Sequence, residues 1–391
     1  MEITEILRLV TAVIGFSLVG LSLAYYVISY WYVRRFFTYL KTYSIQNDSA
    51  QLQPVSILKT ISDISTSVKG RIATFCIQRY SKFEIIICPS KQAHKQVTKE
   101  LDGFINHCNI SIVNPSALAD ANHGIAQMTA AIASSRHDVV ILSDSDIRVG
   151  PEYLQRMMGC YNENQSGIVT ALYRVVHIHS WQSAFHAMSV QGDLTPFLLL
   201  ADRFGKLGFF GATMVVSKKR LQEIGELEFI QLFLPIDYQI ACNAFHKGVK
   251  IAIAPELVDS ISDIKNTTDL IRKQALRLIN HRIQCPASYS FSALTYGIPL
   301  ATLNLAINPY TFESLALLAL VVIVRHLLFY LSNRNWFKNA ELNRYIGLLL
   351  FKDFFNFFLW GASFLKDTVT VNKKRYRIHK DGSLAEAKTS R

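Results

Sequence analysis

Hydrophobic and polar positions divide the chain into three regions of different rhythm. From Leu9 to Val33 no side chain is charged, and at ~1.5 Å per helical residue such a run exceeds the roughly 30 Å hydrocarbon core of a bilayer. It predicts a membrane-spanning helix. Glu2 and Glu5 precede the run and bulky Tyr, Trp and Val residues close it, whereas a cleaved signal peptide has basic residues before a shorter apolar run and small residues after it. Residues 1–43 therefore read as a retained anchor with its flank. A polar stretch from about 44 to 53 predicts a linker. From Pro54 onward, short β-branched runs alternate with helical patterns. Val55 to Leu58, Phe83 to Cys88, Ile110 to Val113, Val139 to Leu142 and Val249 to Ala252 read as strands, with Asp120 to Ser134 helical. That alternation predicts an α/β domain with a mainly parallel sheet over residues 44–286, and in such sheets ligands gather at the carboxyl ends of the strands. In 287–366 the pattern turns apolar again. Ser288 to Phe312 is charge-free but threaded with Ser, Thr, Gly and Pro, which suits an interfacial or re-entrant segment. Ser314 to Leu331 and Ile346 to Leu365 are stronger spans, interrupted by Arg325 and by the Lys352/Asp353 pair. Charges at that depth are costly unless paired or facing protein.

Composition and charge sharpen this picture. Half of the 391 residues are hydrophobic, in keeping with a membrane part, and the net charge is +12. Arg34, Arg35 and Lys41 follow the anchor directly, which by the positive-inside tendency places the following domain in the cytoplasm, at a bacterial inner membrane or a eukaryotic endomembrane. The tail 367–391, with Lys373, Lys374, Arg375, Arg377 and Lys380, favours the same side, yet the loop with Arg334, Lys338 and Arg344 is equally basic. Both cannot be inside if the two preceding segments are ordinary spans. The basic excess serves anionic lipid or a diphosphate. It does not suggest nucleic acid, since no basic stripe interleaved with aromatics appears outside the juxtamembrane regions. Six cysteines without a CxxC pair or regular spacing give neither a disulfide framework nor a zinc site.

The most informative run is Val139 to Arg148, where a buried-strand pattern ends in Ser143, Asp144, Ser145 and Asp146. On an extended strand, residues i and i+2 share a face, so both carboxylates would meet at the carboxyl edge of the sheet. Converging carboxylates repel unless a cation sits between them, and Mg2+ or Mn2+ with oxygen ligands suits that place. A metal there would neutralise a leaving diphosphate. Asp237 stands at a predicted helix start, as an ordinary N-cap or as the base that an inverting sugar transfer needs. Gln274 and Arg277, at i and i+3, share one helix face, either solvated or turned to a donor's phosphates and hydroxyls. His177, His179 and His186 have no carboxylate or cysteine at ligand spacing.

These residues together resemble the ceramide glucosyltransferase family and its bacterial relatives of hopanoid biosynthesis. The resemblance runs from anchor to tail. It rests on Ser143-Asp-Ser-Asp-Ile-Arg-Val149, Gly208-Phe-Phe-Gly-Ala-Thr-Met214, Pro235-Ile-Asp-Tyr238 and Gln274-Ala-Leu-Arg277. It implies an α/β fold of GT-A type with a mixed, mainly parallel sheet plus N- and C-terminal membrane helices. It further implies an inverting transfer of a sugar, glucose or N-acetylglucosamine, from a UDP-sugar to a hydroxyl of a membrane lipid such as ceramide or a hopanoid. The roles carried over are metal and donor binding for Asp144 and Asp146, the catalytic base for Asp237, donor contacts for Asn122, Gln274 and Arg277, and an acceptor-side position for Gly211, Ala212 and Thr213. Three donor-side positions depart from the family pattern. No carboxylate follows Cys88, Gly124 stands where a lysine is usual, and Leu278 replaces the tryptophan after Arg277. A non-catalytic relative that binds lipid or a partner enzyme, and a transferase acting on polyprenyl phosphate or polysaccharide, are the rival readings.

Overall fold

The computed structural model describes residues 3–44, 53–61, 67–104, 108–115, 123–164, 167–205, 212–225, 236–262, 264, 266–284, 286–308, 311–365, 368–371, 374–378 and 384–386. Along the first half of the chain run α1 (Ile3–Thr42), β1 (Val55–Ile61), α2 (Val68–Cys76), β2 (Phe83–Pro89), α3 (His94–Leu101), β3 (Ile110–Ile112), α4 (His123–Ser134), β4 (Val139–Ser143), β5 (Ile147–Arg148), α5 (Tyr153–Glu163), β6 (Ile168–Val176), α6 (Trp181–Ser189) and α7 (Thr195–Arg203). The second half adds β7 (Thr213–Ser217), α8 (Lys218–Ile224), α9 (Ile236–His246), β8 (Ile251–Ile261), α10 (Thr267–Gln284), α11 (Pro286–Phe291), α12 (Gly297–Ile307), α13 (Phe312–Ser332), α14 (Ala340–Asn343), α15 (Leu348–Ser363) and the strands β9 (Thr368–Val371), β10 (Lys374–Ile378) and β11 (Leu384–Glu386). They pack as two compact units: Thr38–Val176 with Ala201–Asp263, and Met1–Phe37 with His177–Leu200 and Ile264–Arg391. Each unit thus draws on separated stretches of chain.

The first of these units is built on an eight-stranded sheet of order β3-β2-β1-β4-β7-β6-β8-β5. β1 pairs in parallel with β2 and β4, and β2 with β3, while β7 runs antiparallel to both β4 and β6. The two-residue alternation of side chains decides which face each residue covers. Val55, Ile57, Val139 and Ile141 join one buried cluster with Ile72 and Phe75 of α2 and Tyr153 of α5. Leu58, Ile86, Val140 and Leu142 join a second with Ala131 of α4, Leu221 of α8 and Ile240 of α9. Helices cover both faces, as a sheet with long apolar runs requires. Caps fix where helices begin: the Ser217 hydroxyl accepts the Arg220 N–H at the start of α8.

The other unit is helical. Two helical stretches, Leu9–Thr42 and Phe312–Phe337, are long and apolar enough to cross a membrane, and a third span is possible if the pair Pro286–Thr295 and Gly297–Ile307, bent by 73°, counts as one. α12 lies against α1 in the opposite direction. The Gly297 N–H donates to the Tyr26 hydroxyl at 2.8 Å, that hydroxyl donates to the Thr295 carbonyl at 3.0 Å, and eleven residues earlier a Cβ at Gly15 would strike the Asn304 side chain. α13 runs in the same direction as α1: the Arg325 guanidinium covers the Tyr26 ring at 4.9 Å, and Phe37 meets Trp336 and Phe337 with centroids at 5.9 and 5.1 Å. The bend at Tyr296 lets a segment rich in Ser, Thr and Pro change direction while Ser292 and Thr295 hydroxyls return to the backbone.

α15 carries the Lys352/Asp353 pair that interrupts the last apolar segment of the sequence. It has 16 residues, about 24 Å at the helical rise. Its two charges are spent inside the protein. Lys352 and Asp353 are wholly buried. Asp353 accepts from Arg325 of α13 at 3.1 and 3.2 Å, Lys352 reaches Asp193 at 2.5 Å and Asp353 at 3.0 Å, and Arg325 reaches Asp193 at 2.6 Å. Asp193 lies on a π-helical turn, Val190–Leu194, between α6 and α7. Two cations and two anions thus cancel, which is the condition for charges at that depth.

Candidate active site

At the carboxyl end of β4 the chain does not stay extended. The Ile147 N–H returns to the Asp144 carbonyl at 3.4 Å, closing a turn over Asp144-Ser-Asp-Ile that leads into the short β5. The two aspartates therefore sit on a turn rather than alternating along a strand. A regular strand would have continued past the sheet edge; the turn instead lets Ile147 bury in the core beside Ile141. Neighbouring strands fix the turn. The Asp144 N–H donates to the Ala212 carbonyl at 3.1 Å, the Ile261 N–H donates to the Asp146 carbonyl at 3.1 Å, and the Ser260 hydroxyl donates to Asp146 Oδ2.

Beneath this turn lies a lysine that the sequence reading passed over. Lys59, near the end of β1, is wholly buried. Its ammonium donates to the Ser143 hydroxyl at 3.2 Å, the Asp144 carbonyl at 2.5 Å and the Ile147 carbonyl at 3.5 Å, and sits 4.3 Å from the centre of the Phe75 ring. Burial pushes its pKa down to about 7, against the pull of Asp146 and Asp144. One basic residue inside the apolar run Val55–Ile61 was the available signal. Gln127 of α4 was missed too: wholly buried, its amide donates to carbonyls near the ends of two parallel strands, Ile61 at 3.1 Å and Cys88 at 2.7 Å.

Asp144 is exposed and Asp146 half-buried. Among the described residues there is no group of three or more His, Cys, Asp or Glu able to hold a metal ion. A pair of carboxylates at an open edge fits a hard divalent cation that takes its remaining ligands from phosphate and water, as Mg2+ does; it does not fit a closed protein cage.

The other expected residues fall as follows. Ala212 and Thr213 lie at the start of β7, with Thr213 opposite Ser143 in the antiparallel register. The Thr213 side chain is a core group, its hydroxyl 2.6 Å from that of Tyr153. Gly211 and Asn122 lie outside the described residues. Asp237 is in the first turn of α9, as its motif suggested, and its side chain is outside them. Gln274 and Arg277 belong to the helical unit, on α10. Gln274 is buried and its side-chain oxygen accepts from Arg277 Nη2. Leu278, where the resemblance led one to look for tryptophan, is buried too. One turn on, His281 is held between the Phe197 and Tyr289 rings, with Nε2 3.1 Å from the Ser288 hydroxyl. Burial, with a contribution from Arg277, lowers its pKa to about 3.

Comparison with known proteins agrees with this geometry. The model of glycosyl transferase family 21 matches residues 14–384. Ceramide glucosyltransferase 1 of Caenorhabditis elegans is 21% identical over 389 residues, which cover 96% of this chain and 83% of that protein. Among solved structures, a mannosyltransferase of Pyrobaculum calidifontis in complex with GDP-Man and Mn2+ superposes with a TM-score of 0.55 at 14% identity, covering 91% of this chain and 99% of the other. That likeness establishes a GT-A fold for the chain.

Proposed function

The chain belongs to glycosyl transferase family 21, and from that premise we propose that this glycosyltransferase moves a sugar, with inversion, from a UDP-sugar to a hydroxyl of a membrane lipid, at the cytoplasmic side. The observation that carries the reading is the turn at Asp144–Ile147, where two carboxylates close the central strand β4 of a GT-A sheet in a chain that also has apolar helices long enough to span a bilayer. The basic residues Arg34, Arg35 and Lys41 after the anchor support the orientation. Relatedness to a ceramide glucosyltransferase supports a lipid acceptor and glucose as the first sugar to test.

Asp144 and Asp146 are the residues that would hold Mg2+ or Mn2+. When bound, the cation neutralises charge on the diphosphate leaving group. Asp237 takes the proton from the lipid hydroxyl as that oxygen attacks the anomeric carbon; the bond from that carbon to the diphosphate oxygen breaks, and the configuration inverts. Arg277, steadied by the Gln274 side-chain oxygen, offers a fixed positive charge to the departing nucleotide. Gly211, Ala212 and Thr213 border the acceptor, and Asn122 the donor.

The test is transfer of label from a panel of UDP- and GDP-sugars to extracted lipids by the detergent-purified protein, with Mn2+, Mg2+ or EDTA. A labelled lipid formed only with metal is expected. Labelled polymer or polyprenyl product instead would replace the acceptor assignment, and transfer undiminished by EDTA would remove the metal role of Asp144 and Asp146.

A further inference from the structure

The established family membership says nothing of why a lysine is buried under the carboxylate turn. An isolated buried ammonium is costly, so its retention calls for dedicated partners. Lys59 has them. An ammonium carries three N–H groups, and the three oxygens within reach, Ser143 Oγ, Asp144 O and Ile147 O, all belong to the segment 143–147. The Phe75 ring closes another side at 4.3 Å. Two of those oxygens are the carbonyls of the first and last residues of the turn, which the bond from the Ile147 N–H to the Asp144 carbonyl closes. From the far side, β8 holds Asp146 through the Ile261 N–H and the Ser260 hydroxyl.

We propose that Lys59 is a positioning residue for the donor site: its ammonium ties both ends of the Asp144–Ile147 turn to β1 and so presets the two carboxylates for a divalent cation shared with a nucleoside diphosphate. The proposal rests on the donor-site reading above. It makes β1 a determinant of donor affinity.

Lys59→Met keeps the length of the side chain and removes the charge and donors. Two measurements on the full-length protein in detergent decide the matter. Mn2+ binding in the presence of UDP, followed by electron paramagnetic resonance of the free ion, is expected to weaken by about tenfold or more, the usual effect of losing a group that orients metal-binding side chains. Amide hydrogen exchange of the metal-free protein is expected to quicken at residues 145–147 and to stay slow in β2 and β6. Where turnover is measurable, KM for the sugar donor should rise while KM for the lipid stays put. Lys59→Gln, which restores a neutral donor, should recover part of the exchange protection and little of the Mn2+ affinity. A folded Lys59→Met protein with unchanged Mn2+ affinity and unchanged exchange at the turn overturns the proposal, and so does exchange that quickens evenly across the whole sheet. If the wild-type protein itself binds no Mn2+ with UDP, the donor-site reading falls, and exchange at the turn alone then upholds or refutes the link from Lys59.

Discussion

Single residues in this protein divide into those whose role follows from chemistry alone and those whose role depends on burial. Asp237 is of the first kind. Replacing it with Asn keeps the shape and removes the base, so turnover should fall by about a hundredfold to ten-thousandfold while UDP-sugar binding, read by calorimetry, stays nearly intact; retained turnover would move the base elsewhere. His281 is of the second kind. Its pKa of about 3 in the folded chain lies below its ordinary 6.5, so the folded state resists a proton that the unfolded state accepts. The stability it contributes is full above pH 6.5 and is lost as pH falls from there toward 3. The ring nitrogens of His281, followed by NMR, should remain neutral at pH 5. A protonated ring there would show that water reaches the α10 face. Nothing in the sequence around Gln274 and Arg277 marked His281, since its burial between two rings comes from distant segments.

Elements were easier to read than their ends. The strands at Val55, Phe83, Ile110 and Val139 and the helix before Ser134 were legible from periodicity, because apolar runs of strand length have few other places to go. The turn at Asp144 was not, since it depends on the Ala212 carbonyl, the Ile261 N–H and Lys59, all remote in sequence. α15 shows the same limit: its composition marks an apolar segment with two charges, and only packing against α13 and the Val190–Leu194 turn supplies the partners of Lys352 and Asp353. Asp353→Asn would leave Arg325 and Lys352 facing Asp193 alone. Breaking such a buried group typically costs about 3–5 kcal/mol, so thermal denaturation in detergent should show a clear drop in Tm. No change would mean that water reaches and screens these charges.

At the scale of the whole molecule, the packing of α12 and α13 on α1 answers the conflict of basic segments. α12 runs opposite to α1 and α13 returns alongside it, so the loop with Arg334, Lys338 and Arg344 emerges beside the end of α1 that carries Arg34 and Arg35. Were α15 held on that side by its buried ion pairs, the tail would lie there too. Cysteines placed at Arg344 and Arg377 in a cysteine-free background should then react with an impermeant maleimide from one side of sealed vesicles, and one at Glu313 from the other. Labelling of Arg344 and Glu313 positions from the same side would overturn this topology.

What the sequence by itself determined is the material that carries local information: a charge-free run long enough to cross a bilayer, strands set by β-branched runs, and two carboxylates at the end of one of them. Tertiary structure decided what depends on partners far along the chain. It chose the turn that carries Asp144 and Asp146, placed Lys59 beneath it, paired Arg325, Asp193, Lys352 and Asp353, and assigned 177–200 and the chain from 264 onward to the unit that contains α1. Periodicity reports which face of an element is apolar; only packing supplies the opposite charge or the hydrogen-bond acceptor that lets a polar residue be buried.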